Sequence, residues 1–505
     1  MLAIGNMEEI ARETDCPPNS STIPADSDAG LKDGVVVDPF NVTLNQTDVS
    51  YGVKGHNKFY MIQVLRAGGR FFLWTKWGRV GASSPATNLQ PCTSLQDAQT
   101  EFRKKFRSKT KNDWENRDNF TPIEGKYQLV EVQSQAAQLE KCVQLENKRR
   151  ALMRTAENFP MKAPAEVAEL MRFVWDFDRM SRTLQEMNLD VEKCPLGQLS
   201  KSQLQKGYLI LRKIQKELEH GNRESHLIAL SNDFYTCIPQ NFGMKRPPLI
   251  SHLLRLKEKV SLLDALSELE VANSLSFRSL HLLEQNHPVD VHYSELKCSL
   301  EAADLDLVAR LQTWVSNTTS PVHNMVITVN RAFTVNRQGE AARFWPFQCL
   351  PNRKLLWHGS RATNFVGILS QGLRVAPKEA PAHGYMFGKG LYFADIVSKA
   401  ANYCCASRFS PEALLLLCEV ALGNMHQVTK AKSYKRPPVG FHSVMGLGRT
   451  GVSEREEVQG VEMGTGGVAE NEEVGFSDLK FNEFVVYDVG QVKMKYLLQC
   501  SVQLL

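Results

Sequence analysis

The stretch "NRKLLWHGSRATNF" (Asn352–Phe365) decides how the carboxy-terminal part of this chain is read. Its first half looks like a strand entering a core: Leu355, Leu356 and Trp357 follow two cations and precede a small polar turn. His358 stands where that apolar run ends, directly before Gly359 and Ser360. A histidine in this setting is either a satisfied core residue or a side chain that a strand end delivers to a ligand. Alone, the first reading is the commoner one, so the rest of the chain has to move the balance.

Two further stretches bear on it. "GYMFGKGLYFAD" (Gly384–Asp395) holds three glycines, which permit close backbone approach to a flat ligand, followed by Tyr392. "SKAANYC" then adds Lys399 and Tyr403, and a pair of tyrosines that clamps an aromatic ring gains about 0.5–1.5 kcal/mol beyond area burial. "KFNEFVVYD" puts one acid, Glu483, at the head of an apolar strand, a position more often held by an edge or turn residue. Two patterns are decoys. "GLGRTG" (Gly446–Gly451) has the GxGxxG spacing but neither follows a clear strand nor opens a helix. "GYMFGKG" is no phosphate loop, because Lys389 is not followed by Ser or Thr.

At 505 residues the chain has room for two to four domains, and 43% apolar with 23% charged residues is ordinary for a globular protein. It has no apolar run of about eighteen residues, so no membrane span is expected. The eleven cysteines contain no CxxC pair, which argues against a zinc site and for a reducing compartment. The formal charge of +5 is uneven: residues 1–35 hold seven acids against two basic residues, leaving the remainder basic enough for a nucleic-acid partner.

Along the chain, residues 1–35 read as a disordered tail. Residues 36–135 read as a small α+β module, with "KFYMIQVL" and "RFFLWTKWGRVG" joined by a glycine-bearing hairpin and a helix capped by Ser94. A linker spans 136–163. Helical periodicity with a Ser200–Gln203 capping box fills 164–285, and its apolar stripes read as core rather than as a site. From 286 to 505 strand-like runs alternate with glycine-rich loops, which suggests an α+β domain, with 434–478 as a long loop or loose hairpin. The fold class is therefore multidomain α+β.

In this order, "LLWHGSRATNF", "GYMFGKGLYFADIVSKAANY" and "FNEFVVYD" resemble the NAD-binding signature of the DNA-dependent poly(ADP-ribose) polymerases, diphtheria-toxin-like ADP-ribosyltransferases with a His–Tyr–Glu triad. "PLGQLSKSQLQKGY" and "FYTCIPQNFGMKRPPLI" resemble the family's autoinhibitory helical domain. "RFFLWTKWGRVG" with "KKFRSKTKNDWENRDNF" resembles its Trp-Gly-Arg (WGR) DNA-binding domain. Zinc fingers are absent from the sequence, and the resemblance is closest to the small third member of the family.

The resemblance implies cleavage of NAD as substrate, release of nicotinamide, and transfer of ADP-ribose to protein acceptors, the protein itself included. It implies Glu483, His358 and Tyr392 as catalytic residues. His358, Gly359, Ser360, Gly367, Arg374, Lys399 and Tyr403 would contact NAD, and no metal is expected. Trp77, Gly78, Arg79, Lys104, Lys105, Arg107 and Tyr127 would contact a nick or break bearing a 5′-phosphate. It further implies a nuclear monomer without a membrane partner, active in DNA repair, whose helical domain is loosened by DNA. One departure stands out. Ala400 occupies the position of a family serine that donates a hydrogen bond to the nicotinamide amide, so NAD binding should be weaker. Phe481 replaces a tyrosine of the polymer-forming members, which favours mono- or short-chain transfer, whereas "GYMFGKG" looks polymer-like. A long-chain polymerase and a non-catalytic scaffold for DNA breaks are the rival expectations.

Overall fold

The computed structural model describes residues 24–50, 56–80, 84–123, 125–129, 148–189, 201–221, 223–243, 245–381, 385–472 and 474–505. The described chain divides into two compact units, 24–46 with 56–129 and 47–50 with 148–505. In the first, strands β1 (Val35–Asp48), β2 (His56–Ala67), β3 (Arg70–Arg79), β4 (Ala86–Cys92) and β5 (Gln128–Leu129) form one sheet in the order β4-β3-β2-β1-β5. Gly68 and Gly69 both take positive φ, 54° and 75°, between the paired residues Ala67 and Arg70. That two-residue turn matches the right-handed twist of the strands it joins, and other side chains resist it. The Leu95–Thr110 helix starts where Ser94 Oγ accepts the Asp97 N–H at 3.1 Å. Its buried Ala98, Phe102 and Phe106 close a core with Phe40, Val42, Leu44, Ile62 and Trp114.

Residues 24–34, read from the sequence as part of a disordered tail, are ordered. Lys76 Nζ holds Asp26 and Asp28 at 3.2 and 2.7 Å, and Ala29 is buried against Val36, Leu65 and Trp74. The sequence pattern missed this because the ordering contacts come from β3, some fifty positions away. The remainder of that tail, residues 136–147 of the linker and Ser200 of the capping box lie outside the described residues. Within the linker, residues 148–156 are helical.

The second unit starts with a bundle whose helices include Ala165–Val174, Phe177–Glu186, Lys201–His220, Glu224–Cys237 and Leu253–Arg278. The last has apolar residues around its whole circumference and is buried along most of its length, from Leu256 to Ser276. Among the described residues no helix is long and apolar enough to cross a membrane.

The Pro288–Leu296 helix leads into strands β6 (Cys298–Ala302), β7 (Met325–Arg337), β8 (Arg353–Ser360), β9 (Leu391–Phe393), β10 (Glu412–Ala421), β11 (Met425–Val428), β12 (Ser443–Gly446), β13 (Thr450–Val452), β14 (Arg455–Val458), β15 (Val461–Gly464), β16 (Val468–Glu470), β17 (Glu483–Val486) and β18 (Val492–Leu504). One sheet runs β14-β15-β8-β10-β18-β7-β6 and a second β11-β12-β17-β9. The apolar run of β10 lies between β8 and β18 and is buried on both faces from Ala413 onward. Residues 434–478, expected as a long loop or loose hairpin, contribute five short strands, β14 and β15 forming a hairpin. Their alternation is too short to stand out from the glycines around them.

Candidate functional site

Strand β8 carries its apolar residues into the core and ends at the rim of a cavity of about 470 Å³. His358 sits opposite Leu416 of β10, and Gly359 opposite Leu415. An isolated bridge between Trp357 and Ala394, with N–H···O distances of 2.8 and 3.0 Å in the two directions, ties β8 to the end of β9 and so joins the two sheets. The same cavity is lined by His358, Gly359, Ser360, Tyr392, Lys399, Ala400, Tyr403, Arg374 and Glu483. The three triad candidates, 125 positions apart at their extremes in the chain, therefore share one wall. His358 lines the cavity rather than being enclosed in the core.

The state of each group follows from its neighbours. His358 Nδ1 lies 2.9 Å from the Tyr392 carbonyl. A carbonyl only accepts, so Nδ1 carries the proton, and burial holds the imidazole below its ordinary pKa, in the neutral form. Nε2 is then a lone-pair acceptor, the right polarity for a sugar hydroxyl. Tyr392 is fixed at both ends of its hydroxyl: it donates to Gly388 O at 2.6 Å and accepts the Phe387 N–H at 3.0 Å. Burial raises its pKa, so it remains a neutral phenol. Glu483 is the first residue of β17 and is buried. Lys399 Nζ lies 3.3 Å from its Oε1 and donates to Asn482 O at 2.7 Å. Tyr403 is 51% exposed, and burial of the rest of its ring raises the phenol pKa.

Three glycines show why only glycine fits. A Cβ on Gly359 would meet the Ala400 carbonyl oxygen at 2.0 Å, so β8 and the Val397–Ala401 helix touch backbone to backbone. Gly388 has φ +85° and a Cβ there would meet Tyr434 O at 2.0 Å, while one on Gly390 would meet Val485 at 2.5 Å. The reading of this glycine run as ligand approach is corrected for Gly388, which is demanded by packing against Tyr434. Gly390 lines the cavity as well, and Gly384 lies outside the described residues.

Gly367 is not on the cavity wall. A Cβ there would lie 1.9 Å from Glu268 Oε2. Glu268, on the Leu253–Arg278 helix, fills this notch and pairs with Arg374. Sequence reasoning missed this face of the cavity altogether: Tyr208, Lys257, Ser261, Asp264 and Glu268 line it from the helical bundle. Asp264 accepts the Tyr208 hydroxyl at 2.6 Å, and burial pushes its carboxyl up to about 6. Burial raises Glu268 too, against the pull of Arg374.

In the amino-terminal unit, Trp77 stacks on Tyr60 at 5.6 Å between ring centroids, Tyr127 meets Tyr60 edge-on at 5.8 Å, and Lys109 lies over Tyr60 at 4.3 Å. Trp77, Gly78 and Arg79 end β3. The cations of "RKKFRSKTK" are partly committed. Lys104 pairs with Glu101 at 2.8 Å, Arg107 with Asp113 at 3.3 Å, and Arg103 with Glu115. These are exposed pairs, each contributing little.

Comparison with known proteins follows the same division. Residues 308–502 match the poly(ADP-ribose) polymerase catalytic domain, 162–293 the regulatory domain of the same enzymes, and 40–121 the WGR domain. These three matches, together on one chain, define the class. The chain belongs to the poly(ADP-ribose) polymerase family. It is 40% identical to poly [ADP-ribose] polymerase 1 of Gallus gallus, over 94% of this chain and 47% of that protein. Against poly [ADP-ribose] polymerase 2 of Homo sapiens it is 37% identical, over 93% of this chain and 80% of that one. Polymerase 2-A of Oryza sativa is 37% identical over 92% and 70%. The chain spans about half the length of the first of these relatives.

Proposed function

We propose that this protein is a DNA-strand-break-activated ADP-ribosyltransferase that cleaves NAD, releases nicotinamide and transfers ADP-ribose to protein acceptors, itself, chromatin or repair proteins among them. The observation that carries this reading is the meeting of His358, Tyr392 and Glu483 on one cavity wall, with Lys399 beside the glutamate.

The bond that breaks joins nicotinamide nitrogen to the ribose C1′. Nitrogen keeps the electron pair and leaves as neutral nicotinamide, and the ribose gains oxocarbenium character. A buried carboxylate beside that carbon stabilises the developing charge before it forms, the kind of preorganised term that dominates many such barriers. Glu483 is that carboxylate, and Lys399 fixes one of its oxygens. Its other oxygen can hold the ribose 2′-hydroxyl or take the proton lost by the attacking acceptor. Neutral His358 accepts from the hydroxyl of the adenosine-side ribose. The Gly359 backbone would grip the nicotinamide amide, Tyr403 would stack on the ring and Ser360 would contact NAD. Arg374 would meet the diphosphate once freed from Glu268. All four line the cavity.

Trp77, Gly78, Arg79, Lys104, Lys105, Arg107 and Tyr127 carry the contact to a 5′-phosphorylated nick, with salt-dependent affinity. The protein acts in the nucleus as a monomer and, resembling the family's small third member, makes mono- or short-chain products. Buried Phe481, packed with Ile396 and Val452, offers no hydroxyl to an incoming acceptor chain.

The test is transfer of label from tagged NAD with and without a nicked, 5′-phosphorylated duplex, resolved by size, alongside Glu483→Gln. A discrete labelled band that requires DNA and falls about a hundredfold or more in the variant is expected. A high-mass smear would replace the short-chain reading with long-chain polymerisation. No label at millimolar NAD with intact DNA binding would leave a scaffold.

A further inference from the structure

The glycine run Gly446–Gly451 has dinucleotide-like spacing, but its surroundings give it another task. It runs beside the segment that ends in Glu483. The backbone N–H groups of Arg449 and Thr450 donate to Leu479 O and Lys480 O at 3.1 and 2.8 Å. Gly446 is the register partner of Glu483 itself. No side chain would permit this approach: a Cβ on Gly448 would lie 2.1 Å from the Phe481 carbonyl carbon and 2.5 Å from Asn482 N, and one on Gly451 2.7 Å from Asn482 Nδ2.

The close passage encloses Asn482, which is 2% exposed. Its Oδ1 accepts the Gly448 N–H at 2.9 Å and its Nδ2 donates to Asp395 Oδ2 at 2.7 Å. Its main-chain carbonyl accepts Lys399 Nζ at 2.7 Å, and that same ammonium reaches Glu483 Oε1 at 3.3 Å. Asp395 is buried at the end of the strand that carries Tyr392, two positions beyond Phe393. A single asparagine thus joins the tyrosine segment, the lysine helix and the glycine run directly behind the glutamate. Glu483 needs such support: it opens its strand, where pairing is least secure, and catalytic groups must be held to about 0.5 Å.

We propose that Asp395 and Asn482 are positioning residues that, clamped on the Gly446–Gly451 run, set the placement of the Glu483 carboxylate against the ribose. This rests on the reading of Glu483 as the catalytic carboxylate. Neither residue lines the cavity that Glu483 faces. Their effect passes through the backbone of residues 481–483 and through Lys399, so it falls on the chemical step more than on NAD binding.

The test uses the full chain with nicked duplex. Asn482→Ala and Asp395→Ala should each lower kcat about tenfold with the NAD KM within about twofold, and the double variant should be no worse than either single one. Asn482→Asp keeps the shape but sets two carboxyls in contact, which share a proton only at lower pH. Its kcat relative to wild type should therefore recover as pH falls, a signature that a purely structural role would not give. Amide exchange supplies a readout independent of activity: Asn482→Ala should lose protection at Gly448 and Glu483. Unchanged kcat with only a lower melting temperature overturns the proposal, as do single effects that multiply in the double variant. If wild type cleaves no NAD, the proposed function fails on its own. The exchange arm then decides the clamp, with loss of protection at Glu483 supporting it and unchanged protection overturning it.

Discussion

The two walls of the cavity that holds Glu483 are built on opposite terms. One is made by strand ends and a one-turn helix, where His358, Tyr392, Lys399 and Glu483 are each held by a hydrogen bond or ion pair inside the same domain. The other is the side of the Leu253–Arg278 helix, which contributes the carboxylates of Asp264 and Glu268. The first wall is complete without the second. The second adds negative charge where an anionic dinucleotide would lie, and it occupies Arg374, the guanidinium best suited to a phosphate. Under the proposed function, the contrast assigns the chemistry to one wall and the exclusion of an anionic ligand to the other.

The sharpest way to break that contrast is Glu268→Ala. The pair it forms is half-buried, with Arg374 34% exposed on its side chain, so the full cost of breaking a buried ion pair does not apply. A net change of roughly 1.4 kcal/mol in favour of the open form is about tenfold. DNA-independent label transfer should therefore rise about tenfold while activity with saturating nicked DNA stays near wild type. If basal activity does not move, the helical wall is not the gate. Ala400→Ser sharpens the other side. Ala400 is buried on the cavity wall beneath Gly359. A hydroxyl there adds one neutral hydrogen bond to the nicotinamide amide, worth about 0.5–1.5 kcal/mol, so the NAD KM should fall several-fold. An unchanged KM would mean the new hydroxyl has turned to the protein, as Ser398 has toward Ser320 and His323.

These walls also differ in how far the amino-acid sequence reveals them. His358 and Glu483 each stand at the end of an apolar strand, a local pattern that alone favoured a core or an edge residue; the resemblance of three motifs in order is what singled them out. The β2–β3 hairpin was legible locally, from two glycines between alternating strands. Asp264 and Glu268 were not. Their helix buries residues around its full circumference, so spacing alone reads every polar position as incidental, and which of them faces the cavity depends on a partner more than ninety residues away. Charge counting failed similarly in the basic helix of the first unit, since Glu101, Asp113 and Glu115 already answer three of its six cations. The glycines failed most instructively. Gly388 and Gly448 are fixed by the atoms they touch, Tyr434 O and the Phe481 carbonyl carbon, and no pattern in the chain names those atoms.

The smallest expected effect concerns how tightly the helical wall is held. Burial pushes the Asp264 carboxyl up to about 6, above its value in an unfolded chain. The folded arrangement then binds the proton more tightly than the opened one, so its stability falls as pH rises. The stabilisation is fully present below about pH 4, declines between about 4 and 6, and is gone above that window. The ceiling is about 3 kcal/mol for complete release into water. Tyr208 belongs to the same bundle and stays with Asp264 if the wall lifts as a body, so the realised difference is smaller, about threefold in opening. Amide exchange along Leu253–Arg278, corrected for intrinsic rates, should show less protection at pH 7 than at pH 5. Asp264→Asn keeps an acceptor for Tyr208 without the charge. It should raise protection at pH 7 and flatten most of the slope, leaving the share that belongs to buried Glu268. An unaltered slope in the variant would assign the pH response to Glu268 and Arg374 alone, and would make Asp264 a part of the wall that holds its shape without setting its grip.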